Sequence, residues 1–182
     1  MIALSLNERT AAGWIIDQLR LQPYQHILEI GVGTGRLMEE AAGLLRIGFL
    51  AGVESSAPHY QQAYRRNKRF IARQLVQLHL GELADLPYPP HYFHTVYSSS
   101  GIPPGKDRMV ELLRLTRMLR SGGQLTLLFR PGSHATSRRE DSAQLLTRQV
   151  QQDYAAAGLR RIQIEHRLSS FGSALAATGY TE

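Results

Sequence analysis

The segment His26-Ile27-Leu28-Glu29-Ile30-Gly31-Val32-Gly33-Thr34-Gly35 constrains this chain more than any other. Its apolar run has strand length, holds a single acid, and passes through three alternate glycines straight into an amphipathic stretch beginning at Arg36. A strand, glycine loop and helix joined in this way let backbone approach a ligand closely and offer amides at a helix N-terminus. Further apolar runs, Ile47 to Val53, Leu75 to Leu80, Phe93 to Tyr97 and Leu125 to Phe129, read as strands. Helical stretches at Arg36 to Leu45, Ala57 to Arg66 and Asp107 to Leu119 separate most of them. That alternation predicts an α/β fold around a largely parallel sheet buried on both faces. A helix from about Arg139 to Ala157, closed by Gly158, precedes two last runs, Ile162 to His166 and Ala174 to Thr178. The few residues between those runs allow only an antiparallel hairpin. Upstream, Ser5 and Glu8 have capping-box spacing, and Trp14, Ile15, Ile16 and Leu19 follow at helical spacing, which predicts an opening helix ended by Pro23.

The 182 residues suit one domain, 1–182, with enough chain for a sizeable core. Cysteine is absent, so disulfides, thiolate zinc sites and cysteine nucleophiles are excluded. The 21 Lys and Arg against 15 Asp and Glu leave a formal charge of +6, which favours an anionic partner without requiring one. Met1 to Arg20 lack the charged start and unbroken apolar stretch of a secretory signal, and no run approaches the ~20 apolar residues of a membrane span. A cytoplasmic protein with no membrane span is the expectation.

In an open parallel sheet, ligands bind outside the carboxyl ends of the strands, where strand order reverses. The first strand ends in the glycine loop, the second at Glu54, and the third at Gly81-Glu82. A carboxylate at the second strand end suits a ribose, since it can accept from both hydroxyls. The glycines read G-x-G-x-G, one residue short of the G-x-G-x-x-G of dinucleotide sites.

Taken together, these segments resemble the class I S-adenosylmethionine-dependent methyltransferases. Ile27 to Gly35 resembles the first motif of that family and Val53-Glu54 the acidic end of its second strand. Gly81-Glu82-Leu83-Ala84-Asp85-Leu86-Pro87-Tyr88 is similar to its third motif, and Arg117 to Leu125 to the turn entering its fifth strand, with Ser121 where proline is usual. The resemblance implies a Rossmann-like three-layer sandwich: a seven-stranded, mostly parallel sheet with an antiparallel C-terminal hairpin strand. It implies S-adenosylmethionine as cofactor and S-adenosylhomocysteine as product. It also distributes roles. Gly31, Gly33, Thr34 and Gly35, with Glu29, would meet the carboxylate and ammonium of the methionine end. Glu54, with Ser55 beside it, would hold the ribose. Glu82 or the backbone of Leu83 would meet the adenine amino group, and Tyr97 and Ser98 would lie near the sulfonium.

Methyl transfer from a sulfonium is an in-line displacement in which positioning supplies much of the acceleration, so no catalytic base is assigned. The segment Tyr97 to Gly105 lacks the N/D-P-P-Y/F motif of nucleic-acid amino methylation, and cytosine-carbon methylation needs the missing cysteine. A small-molecule acceptor is therefore the leading expectation, with an anionic one favoured by Arg130, His134, Arg138 and Arg139 after the fifth strand. An RNA or protein acceptor, and a non-catalytic nucleotide-binding or interaction module, stand as alternatives. The opening helix or the 130–139 loop are the candidate lids, and a neighbouring subunit in a homo-oligomer is another way to complete the pocket. His94, where the family commonly has aspartate, reads as a structural histidine; His91 and His94 lack the context of a metal site. Arg65-Arg66-Asn67-Lys68-Arg69 reads as a solvated helix end.

Overall fold

The computed structural model describes residues 11–102, 107–129, 139–169 and 172–182. The order is α1 (Ala11–Leu19), β1 (His26–Ile30), α2 (Arg36–Leu44), β2 (Phe49–Glu54), α3 (Ala57–Ala72), β3 (Val76–Leu80), a 3₁₀ turn (Leu83–Asp85) and β4 (Phe93–Ser98). Then come α4 (Arg108–Met118), β5 (Leu119–Phe129), α5 (Arg139–Ala156), β6 (Arg160–Ser169) and β7 (Gly172–Tyr180). The expected opening-helix cap, Ser5 and Glu8, lies outside the described residues, as do Arg130, His134 and Arg138.

Seven strands form one sheet in the order β3-β2-β1-β4-β5-β7-β6, with β5–β7 and β6–β7 antiparallel and the other pairs parallel. Because side chains alternate across a strand, neighbouring apolar residues feed different layers. Ile27, Leu50, Val76 and Tyr97 pack with Ile15 and Leu19 of α1, Met38 of α2 and Phe70 of α3. Leu28, Val53, Val96 and Leu125 pack with Leu112 of α4 and Tyr154 of α5. Both faces are covered, which is why the strands read as unbroken apolar runs. This is the three-layer sandwich expected from the sequence.

Two boundaries differ most from the sequence reading, while β2, β6 and β7 shift by two or three residues at an end. First, α3 runs six residues past Arg66, to Ala72. The polar run continues the helix because Asn67 is buried within it and Phe70 packs into the core. Second, β5 starts at Leu119 rather than Leu125. Its register advances from Leu119 to Gln124 while β4 advances from Phe93 to Thr95, so the Arg120–Gly123 turn loops out as a bulge. Thr181 closes that bulge: its hydroxyl donates to the Arg120 carbonyl at 2.6 Å and accepts from the Gly123 N–H at 2.9 Å.

Strand order reverses between β1 and β4: the chain moves outward through β2 and β3, then returns to the other side of β1. The carboxyl ends of β1 and β4 therefore flank a crevice, the position at which this architecture admits a ligand.

Candidate active site

The glycine loop after β1 and the serine-rich turn after β4 meet across that crevice. Gly31 has φ 67°, and a Cβ there would lie 3.2 Å from the Ser100 hydroxyl. Ser98, buried at the end of β4, shapes the facing turn: its hydroxyl donates to the Gly101 carbonyl at 3.0 Å and accepts from the Ser100 N–H at 3.3 Å.

Glu54 ends β2 and is only 7% exposed. Its Oε2 accepts from the Gly33 N–H at 2.7 Å and its Oε1 from the Ser56 N–H at 2.9 Å. Each oxygen keeps a lone pair beyond the one so used, and these suit the two hydroxyls of a ribose. Ser55 beside it is exposed. The remaining loop amides are engaged more than the sequence implied. Gly31 and Val32 donate to the Val53 carbonyl at 2.9 and 3.3 Å, and Gly35 donates to that of Val32 at 3.1 Å. Thr34 and the first-turn amides of α2 are thus the donors left for a carboxylate.

Glu29 sits two residues below Gly31, wholly buried, with β2 Gly52 and β4 Tyr97 as its register partners. The Tyr97 hydroxyl donates to Oε2 at 2.9 Å, while Oε1 is buried without a partner. Burial pushes the carboxyl up from the ordinary 4.5 to about 8; the hydrogen bond from Tyr97 opposes this and the Glu54 charge adds to it. The same burial, with the adjoining Glu29, raises the Tyr97 phenol. Tyr97 is itself fully buried in the α1–α3 layer, so it meets the site through Glu29 rather than through an open ring face.

At the third strand end, Glu82 is exposed and its N–H donates to Asp85 Oδ2 at 3.0 Å, opening the 3₁₀ turn. Leu83 is half-buried and packs against the α4–α5 layer. Two acids, not one, therefore mark this corner.

Sequence reasoning missed the brace behind the glycine loop. Arg66 Nε donates to the Thr34 carbonyl at 3.0 Å, and Arg66 and Arg69 each reach Glu39 of α2 at 3.4 Å. Buried Asn67 donates to the carbonyls of Gly35 and Ala63, both at 3.0 Å. The signal was an amide one helical turn beyond Ala63, on a face the surrounding charges disguised. At the opposite edge, the His94 ring is tied into the fold as expected: Nδ1 accepts from the His26 N–H at 3.0 Å, and Arg120 lies 2.9 Å from Nε2. Burial, then Arg120, keeps its pKa below the ordinary histidine value. A cavity of about 570 Å³ also opens at that edge, beside Leu113, Arg117 and Ala157. The glycine loop and the Glu29 and Glu54 carboxyl groups lie toward the other edge, at the carboxyl ends of β1 and β2.

A methyltransferase-domain family model matches residues 27–123, from β1 through the glycine bulge of β5. The chain belongs to the class I S-adenosylmethionine-dependent methyltransferases. Its cofactor is S-adenosylmethionine. An uncharacterized methyltransferase, YdaC, of Bacillus subtilis is 25% identical over 164 residues, covering 90% of this chain and 87% of its own. A demethylmenaquinone methyltransferase of Symbiobacterium thermophilum is 29% identical over 132 residues, 68% of this chain and 53% of its own. Among solved structures, geranyl diphosphate C-methyltransferase of Streptomyces coelicolor, bound to magnesium, geranyl diphosphate and S-adenosylhomocysteine, superposes with TM-score 0.73 at 14% identity, covering 94% of this chain and 79% of that one. Among the described residues, no helix of this methyltransferase is long and apolar enough to cross a membrane.

The Glu29 environment gives a stability test. With a folded-state pKa of about 8 against an ordinary 4.5, ionisation is disfavoured in the folded state. The unfolded chain releases this proton first, so stability is lost as pH rises from about 4.5 to about 8, by roughly 5 kcal/mol in all. Glu29→Gln should match the wild type near pH 4.5 and exceed it by several kcal/mol at pH 8.5. Denaturant unfolding at both values checks this; a gap that does not widen with pH refutes it.

Proposed function

We propose that this methyltransferase moves the methyl group of S-adenosylmethionine to a small-molecule acceptor, with the cofactor lying in the crevice between the glycine loop and the β4 turn. The observation that carries the cofactor placement is Glu54: a nearly buried carboxylate at the second strand end, already oriented by the Gly33 and Ser56 amides. In this reading Glu54 accepts from the ribose hydroxyls, Ser55 borders the ribose, and Glu29 answers the ammonium. Thr34 and the first turn of α2 answer the carboxylate across the Gly31, Gly33 and Gly35 backbone. Glu82 and the Leu83 backbone lie at the adenine end, and Ser98 holds the turn beside the sulfonium. When bound, the cofactor supplies an electrophilic methyl group; the protein's part is to hold it in line with the acceptor and exclude water.

The small-molecule reading is supported by relatives and neighbours of that kind, a demethylmenaquinone methyltransferase and a geranyl diphosphate C-methyltransferase. An RNA acceptor has less support, because Arg66 and Arg69 of the basic stretch in α3 are engaged with Glu39 and the glycine loop. Incubation of a cell extract with methyl-labelled cofactor, followed by separation by size, tests the choice. Label is expected in the small-molecule fraction and dependent on the enzyme; label confined to RNA or protein overturns the reading. Candidate acceptors should include quinols and prenyl diphosphates.

A further inference from the structure

Glu29 carries an unresolved conflict in the protein by itself. It is 0% exposed, one oxygen takes the Tyr97 hydroxyl and the other has no partner. A carboxylate so placed would be a buried charge without a counterion, which costs several kcal/mol or more. The charged and titratable groups around it do not relieve that cost. Tyr97 of β4 donates a neutral hydrogen bond, and Glu54 of β2 is a second acid. On α2, Arg36 pairs with Glu40, and Glu39 pairs with Arg66 and Arg69 of α3; Asp17 of α1 is exposed. Among the described residues no cation pairs with Glu29.

We propose that the Glu29–Tyr97 pair is a proton-exchanging seat for the cofactor's ammonium: the Glu29 carboxyl is neutral before binding and releases its proton to solvent when the ammonium takes up the counterion position. The inference rests on the cofactor placement proposed above. The step balances: a carboxylic acid and an ammonium become a carboxylate–ammonium pair and one proton in the buffer, with the cofactor's charge unchanged. Tyr97 is a positioning residue here. Its hydroxyl occupies Oε2 in both states and leaves Oε1 as the oxygen that changes partner. The elevation of the Glu29 pKa to about 8 agrees with a neutral resting state. Affinity should therefore rise with pH through the acid side, then fall once the cofactor's own amino group deprotonates, at about 7.7–8.0 for an ordinary α-amine.

Calorimetry with S-adenosylhomocysteine at pH 6.5, in buffers of different ionisation enthalpy, reads the proton directly. The wild type should release about one proton per ligand bound. Glu29→Gln should release almost none, and Tyr97→Phe should move the pH at which release falls to half upward. Infrared difference spectra should show a protonated-carboxyl band lost on binding in the wild type and no such loss in Glu29→Gln. If the glutamine variant binds too weakly for calorimetry, the wild-type pH series decides: affinity should change about tenfold per pH unit below pH 7. Binding without proton release, a flat pH series, or equal release by Glu29→Gln overturns the inference. Absence of any binding by the wild type overturns the cofactor placement itself, and this inference with it.

Discussion

Glu54→Ala should weaken S-adenosylhomocysteine binding at least about a hundredfold. Two lost hydrogen bonds from a ribose to an ionised carboxylate are worth about 1.5–3 kcal/mol each, and about 3 kcal/mol is already a hundredfold. The substitution also strips the acceptor from the Gly33 and Ser56 amides, so the loop facing the ligand loses its orientation as well. Glu54→Gln is not a gentle alternative. Its amide would turn a donor toward one of two backbone donors that the carboxylate now satisfies together. Calorimetry on both variants, with circular dichroism to confirm the fold, measures the effect. Affinity within threefold of wild type would remove Glu54 from the ribose role.

Gly35→Ala is expected to cost about 2–5 kcal/mol of stability, from left-handed strain of about 1–2 kcal/mol and overpacking of about 1–3 kcal/mol. Gly35 has φ 77°, and a Cβ there would lie 2.7 Å from the Ala63 Cα and 2.7 Å from Asn67 Nδ2. Both neighbours belong to α3, and the first is backbone that cannot rotate aside. Gly33 supplies the control: φ is 58°, yet a Cβ would meet nothing within 4 Å. Gly33→Ala should therefore show the strain alone. For a chain of this size a loss of about 2–5 kcal/mol corresponds to a melting temperature lower by roughly 4–20 °C. If thermal unfolding shows Gly35→Ala no worse than Gly33→Ala, the close approach of α3 is not what requires the third glycine.

The two substitutions separate what was legible in the chain from what was not. The glycine loop and Glu54 could be read because their signals are local: a strand, a run of glycines and a strand-end acid lie close in sequence. The internal engagement of the loop amides could not, because Val53 accepts from Gly31 and Val32 only once β1 and β2 are side by side. The brace on the loop was hidden for a related reason. Asn67 lies 32 residues from Gly35, among arginines that look solvated until α3 is laid against α2. The start of β5 was misplaced because its first pairing, Leu119 with Phe93, is separated from the rest by the bulge, and a looped-out turn carries no strand periodicity.

The strand order came from the fold, while the sequence by itself determined the α/β class, the closing antiparallel hairpin, and the strand ends at which this architecture places a ligand. Those depend on periodicity, turn residues and motif spacing, which are properties of neighbours along the chain. Tertiary structure alone decided that Glu29 is wholly buried with Tyr97 on one oxygen and nothing on the other, across a separation of 68 residues. Whether an acid carries its charge depends on desolvation and on groups brought near by folding, not on its place in a motif. For the same reason the charge of +6 says little about the acceptor: some of its arginines are engaged with the glycine loop and with Glu39 of α2.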